Sequence, residues 1–136
     1  MAAQESERAM IIAIEQRDDV CVLRVEGDFV TGTDPEYLAL KKEQLKQRKP
    51  GKVLVDLHQV PHIGSAGIGF IVGIFTTLKV NGGHIVLVAL QPHVYEAFHL
   101  TRLTTIIPLA PDVTSGLTYL CSGHPSARSG QLPYNS

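Results

Sequence analysis

Residues 53–75 read VLVDLHQVPHIGSAGIGFIVGIF, and this stretch decides the fold. With Lys52 in front, its first part is the run KVLVDL, apolar and β-branched without a break until its acidic end. A strand with one wet face alternates apolar and polar residues, whereas one that does not alternate is covered on both faces. The loop HQVPHIG follows, then a helix predicted from Ser65 to about Val80, stopped by Asn81-Gly82-Gly83. A buried strand feeding a helix is the unit of a parallel sheet, because parallel neighbours need a helical crossover between them.

Working outward, Met10–Ile14 and the run VCVLRVEG from Val20 to Gly27 flank the polar turn Gln16-Arg17-Asp18-Asp19, which predicts a β-hairpin. After the loop DFVTGTD comes the helical segment EYLALKKEQLKQRK, which places Leu38 and Leu45 on one face. It starts at Asp34 ahead of Pro35, or at Thr33 with Glu36 in a capping box, and it ends at Pro50-Gly51. Downstream, His84–Leu90 repeats the buried-strand pattern and Pro92 opens a short helix to about Leu100. Thr104–Pro108 is expected as a last strand and Pro111–Leu120 as a last helix. The expected fold class is α/β: one domain over residues 1–121, with a mixed sheet (opening hairpin, then parallel strands) and helices. The tail 122–136, polar and rich in Gly, Pro and Ser, is expected to be disordered.

Composition narrows the function. Twelve Lys and Arg against thirteen Asp and Glu leave no basic surplus to grip a phosphate backbone, so nucleic acid is not an expected partner. MAAQESERAM lacks the basic head and apolar stretch of a signal peptide, and no run reaches the roughly 18 apolar residues of a membrane span. Cys21 and Cys121 are too few for a disulfide framework and are expected as free thiols. The expectation is a cytoplasmic protein without a membrane partner.

Ser65 stands where loop hands over to helix, so its hydroxyl can cap that helix. Glycines at 64, 67, 69 and 73 surround it, although an interior helical glycine costs about 1 kcal/mol, so close packing or a close-approaching partner must justify them. Lys79 carries the one charge between Ser65 and Val80. At 100° per residue, Ile68, Ile71, Val72, Phe75 and Leu78 fall on one side, expected to face the sheet. Ala66, Phe70, Gly73 and Thr77 fall on the other, and an exposed, uncharged, weakly apolar face reads as a protein contact surface.

The same stretch resembles the signature of the STAS domain family, the anti-sigma factor antagonists. The matching residues are Asp56-Leu57, Val60, Ile63, Gly64, Ser65, Ala66, Gly67, Ile68 and Gly69, and the likeness extends over roughly residues 10 to 120. The resemblance implies a binding module rather than an enzyme. It implies Ser65 as a phosphoacceptor, and as partners an anti-sigma factor with serine kinase activity and a resetting phosphatase, so that transcription is regulated by a phosphorylation switch. Asp28, Gly64, Ala66, Gly67, Phe70, Gly73 and Thr77 are the candidate partner-binding residues. The chain departs from the family at two places: Gly64 replaces the acid usual before the serine, and Val30 replaces the second acid of the Gly27-Asp28-Phe29-Val30 turn. The alternative is a non-phosphorylated STAS scaffold module in a larger signalling or lipid-transport assembly.

Enzyme motifs fit less well. Ser65, Asp112 and His124 follow the chain order of an α/β-hydrolase triad, but Ile63 stands where the nucleophile elbow requires glycine. Gly64, Gly67 and Gly69 have the order G-x-x-G-x-G, which is neither dinucleotide fingerprint nor P-loop. His58 and His62 flank a proline-containing loop with no third ligand at metal spacing, so no metal and no cofactor is expected. The lysines and arginine at 41, 42, 46, 48 and 49 are expected as the solvated face of the first helix.

Overall fold

Strand runs that do not alternate must be covered on two faces, and the arrangement of the helices meets that demand. The structure, a computed structural model, describes residues 10–27 and 35–121. Within them the chain runs β1 (Met10–Arg17), β2 (Val20–Gly27), α1 (Pro35–Gln47), β3 (Lys52–Gln59), α2 (Ser65–Val80) and β4 (His84–Val88). It continues through α3 (Pro92–Leu100), a 3₁₀ turn (Leu103–Thr105), β5 (Leu109–Ala110) and α4 (Val113–Cys121). The five strands form one sheet in chain order. β1 and β2 are antiparallel, and β2, β3, β4 and β5 are parallel, as the hairpin and the helical crossovers predict.

Side chains from alternate strand positions divide into two cores. Leu23, Val53, Val55, Ile85 and Leu87 pack beneath α1, α2 and α3, together with Tyr37, Leu45, Phe70, Ile74 and Phe98. Val20, Val22, Leu54, Val86 and Val88 pack on the opposite side with Leu120 of α4. α4 lies close to the sheet: a methyl added at Gly116 would lie 2.5 Å from Val88 Cγ1 and 2.9 Å from Leu54 Cδ1. No side chain fits there, which explains a glycine within a helix.

Several local expectations are corrected. The hairpin turn is only Asp18-Asp19, since Arg17 already pairs with Val20 and Asp18 takes a left-handed φ of 55°. β4 stops at Val88, because Ala89 turns the chain with φ 58°. Thr104–Pro108 is not a strand. Thr105 and Ile106 close the 3₁₀ turn onto the carbonyls of Arg102 and Leu103, and β5 lies beyond, at Leu109–Ala110. Pro108 cannot donate, but its carbonyl accepts from the Leu87 N–H at 3.0 Å, so it suits the entry to an edge strand. Tyr37, not foreseen, is 5% exposed, and its hydroxyl accepts from the Ile12 N–H at 3.0 Å. That bond satisfies an edge-strand donor that β2 does not reach.

The largest correction concerns the phase of α2. Phe70, expected on the outer face, is 4% exposed and belongs to the core with Ile71, Ile74 and Leu78. The outward-facing positions are Ser65, Gly69 and Thr76, followed by Lys79 and Val80 in the last turn, and they are flanked by half-buried Ile68, Val72 and Phe75. Gly73 turns toward α1, where an added methyl would meet Lys42 Nζ at 2.8 Å. A helix wedged between a sheet and a neighbouring helix buries more than half its circumference, so apolar residues on both sides of the expected stripe found cover. That cover comes from α1; α4 lies across the sheet. The capping residues Asp34 and Thr33 and the tail 122–136 fall outside the described residues.

Candidate functional site

β3 delivers the chain to the site, and a buried ion set fixes its exit. Asp56, 3% exposed, is a buried charged residue near the carboxyl end of β3. One carboxylate oxygen accepts from the His58 N–H at 3.1 Å and lies 2.9 Å from His58 Nδ1. The other stands 3.8 Å from Arg24 Nε, and Arg24 Nη1 in turn donates to Glu15 at 2.7 Å. Arg24 can do this because the parallel register sets it directly beside Asp56. A buried carboxylate without such partners would destabilise the fold by several kcal/mol.

The loop from Gln59 to Gly64 is tied down on either side. The Val60 N–H donates to the Leu57 carbonyl at 3.0 Å, and Val60 is fully buried. Gln91, just before α3, donates from Nε2 to the His58 carbonyl at 2.7 Å, and the rings of His62 and His93 stack at 5.3 Å. The chain therefore enters α2 from an anchored platform.

At that entrance the expected cap is not made. Gly64 is the N-cap residue, extended at φ −117° and ψ −166°, with no side-chain cap bond, and Ser65 is the first helical residue. The Gly64 carbonyl accepts the first intrahelical bond, from the Ile68 N–H at 3.0 Å. Ser65 is exposed, and among the described residues its hydroxyl has no hydrogen-bond partner. A free hydroxyl at a helix N-terminus is accessible to modification. A phosphate added there would meet the unpaired first-turn N–H groups and the positive end of the helix dipole.

Below Ser65, at i+4, i+7 and i+11, lie Gly69, Val72 and Thr76, an uncharged strip that ends near Lys79, whose ammonium sits 5.8 Å over the Phe75 ring. These three were not among the expected contact residues, although phasing the helix with Ser65 on its exposed side finds them from the sequence. Of the expected contact residues, Gly64 and Ala66 flank Ser65 half-buried, Gly67 and Phe70 are buried, and Gly73 and Thr77 lie half-buried toward α1. Asp28 falls outside the described residues.

Of the hydrolase constellation, only Ser65 and Asp112 lie among the described residues. The Asp112 carboxylate accepts the Ser115 N–H at 2.8 Å and caps α4, a bond that holds its pKa below the usual carboxylate range, while His124 lies outside the described residues. Among the described residues no three His, Cys, Asp or Glu side chains are placed to hold a metal ion. Cys21 is a buried free thiol, with its pKa raised by burial.

A family model described as STAS domain matches residues 12–116. The chain is 38% identical over 85 residues to an anti-sigma-B factor antagonist of Listeria monocytogenes, covering 60% of this chain and 75% of that protein. It is 22% identical over 109 residues to an anti-sigma F factor antagonist of Paenibacillus polymyxa, covering 80% and 93%. The crystal structure of an anti-sigma factor antagonist from Mycobacterium paratuberculosis superposes with a TM-score of 0.72 at 26% identity, over 82% of this chain and 93% of that one.

Proposed function

The chain belongs to the STAS domain family, and from that premise we propose that it is an anti-sigma factor antagonist whose binding is switched by phosphorylation of Ser65. The observation that carries this is the free, exposed hydroxyl of Ser65 at the head of an uncharged strip. In the unmodified state the strip Ser65–Gly69–Val72–Thr76 docks on an anti-sigma factor and sequesters it, freeing a sigma factor and so regulating transcription in the cytoplasm. Gly64 and Ala66 border this contact, and Asp28, outside the described residues, is a further candidate for partner binding.

Phosphorylation adds a charge of about −1.5 to −2. At the start of α2 the fold tolerates it, whereas the same charge desolvated against an uncharged interface is costly, so the complex is released. The anti-sigma factor itself serves as the serine kinase, and a phosphatase restores the binding form. The protein acts by binding and not by turnover.

The test is labelling with ATP and the cognate kinase. Wild type should incorporate one phosphate, Ser65→Ala none, and Ser65→Glu should melt like wild type while losing the complex. Label that persists in Ser65→Ala moves the switch elsewhere. Absence of label with an active kinase favours the non-phosphorylated scaffold module, for which Gly64 in place of the family's acid is the supporting feature.

A further inference from the structure

On the far edge of α2 from that strip, a cavity of about 510 Å³ opens between α1 and α2. Its volume lies in the range of small-molecule sites, about 300–1,000 Å³. The inner wall is Leu45, Ile74 and Leu78, each buried. The rim carries Lys42 and Lys46, i and i+4 on α1, and Lys49, two residues past the end of that helix, and no carboxylate lines the cavity.

Three details set these lysines apart from an ordinary solvated helix face. Among the described residues the ion pairs use Arg24, Lys52 and His58, so none of the three rim ammoniums is neutralised. Lys42 also reaches across to the backbone of α2, its Nζ within 2.8 Å of where a Gly73 methyl would stand. Lys49, meanwhile, holds a left-handed φ of 49°, a conformation that glycine adopts without strain. The residue there is nonetheless a lysine, and it lines the cavity.

An apolar wall with a cationic rim matches one ligand chemistry. Long lysine stems extend apolar surface while their heads remain at the water boundary. The wall offers no aromatic ring for stacking, and Thr77 and Asn81 are the uncharged polar side chains among the lining residues, which suits neither a nucleobase nor a sugar. We propose that this cavity binds a free single-chain anionic amphiphile, its aliphatic chain on Leu45, Ile74 and Leu78 and its carboxylate or phosphate head among Lys42, Lys46 and Lys49.

The test is an amide NMR titration of the full chain with octanoate and with octyl phosphate, both below their micelle concentrations. Saturable shifts should gather at residues 42–51 and 74–81. Octanol and inorganic phosphate, each carrying half of the ligand, should bind at least tenfold more weakly. Lys42→Gln combined with Lys46→Gln should weaken octanoate at least tenfold at unchanged melting temperature. Thr77→Trp, which fills the cavity from its rim, should abolish binding and gives a separate reading if the lysine variant melts early. The proposal is overturned if octanol binds as tightly as octanoate, or if the shifts centre on the exposed Leu100 and Ile106. Undiminished binding by both variants, or association with anionic vesicles without saturation by the monomeric amphiphile, would overturn it too.

Discussion

Gly69→Ala separates the stability of α2 from its use. Gly69 sits on the exposed side of the helix, its φ is not left-handed, and a methyl added there meets nothing within 4 Å. Nothing in the folded chain therefore requires glycine, yet glycine inside a helix is less stable than alanine by about 0.5–1 kcal/mol. The substitution should stabilise the fold by that amount and raise the melting midpoint by roughly 2–6 °C. The same methyl projects from the middle of the strip between Ser65 and Thr76. In a closely packed interface an unaccommodated methyl costs about 1–3 kcal/mol, which weakens the anti-sigma factor complex about fivefold or more. Thermal melting by circular dichroism reads the first effect, and calorimetric titration with the anti-sigma factor reads the second. A lower melting point would show that the backbone needs glycine there. A stabilised variant that binds with unchanged affinity would refute close approach along this strip.

Phe70→Asp places a carboxylate in the core, at a cost of several kcal/mol out of a total stability of about 5–15 kcal/mol, and should abolish cooperative melting. A variant that stays folded and loses only its partner would return Phe70 to an outer face. Tyr37→Phe removes the acceptor of the buried Ile12 N–H and should lower stability by about 1–3 kcal/mol in urea titrations at constant m-value. Asp112 has its pKa lowered by the Ser115 N–H, so its contribution is present above the unfolded value of about 4 and is lost as pH falls through the folded value. Asp112→Ala should therefore melt earlier than wild type at pH 7, with the gap closing in strong acid; an equal gap at both ends would rule out the carboxylate as its source.

The order of elements was legible in the sequence because its signals are local. KVLVDL and HIVLVAL lack alternation whatever surrounds them, Asn81-Gly82-Gly83 stops a helix, and Gly82 takes the positive φ such a stop uses. Ser65 was legible for the same reason, since it stands at a boundary between loop and helix. The two-residue β5 had no such signal, being too short to show a period, and its place came from the Leu87 N–H meeting the Pro108 carbonyl. The ion set at Asp56 depended on a parallel register that brings Arg24 beside it across an intervening helix.

The phase of α2 was also beyond the sequence. Its residues are apolar or small almost all round, with Lys79 as the one charge, so hydropathy gives no contrast by which to rotate the helix. Residues 68–78 offered two apolar stripes, and the choice between them fell to α1, whose Tyr37 and Leu45 join Phe70 and Ile74 in the core. The sequence determined that a weakly charged helix begins at a serine beside a parallel sheet. Which of its sides faces a partner was decided by tertiary packing, because burial of a helix surface depends on what else the chain brings to lie against it.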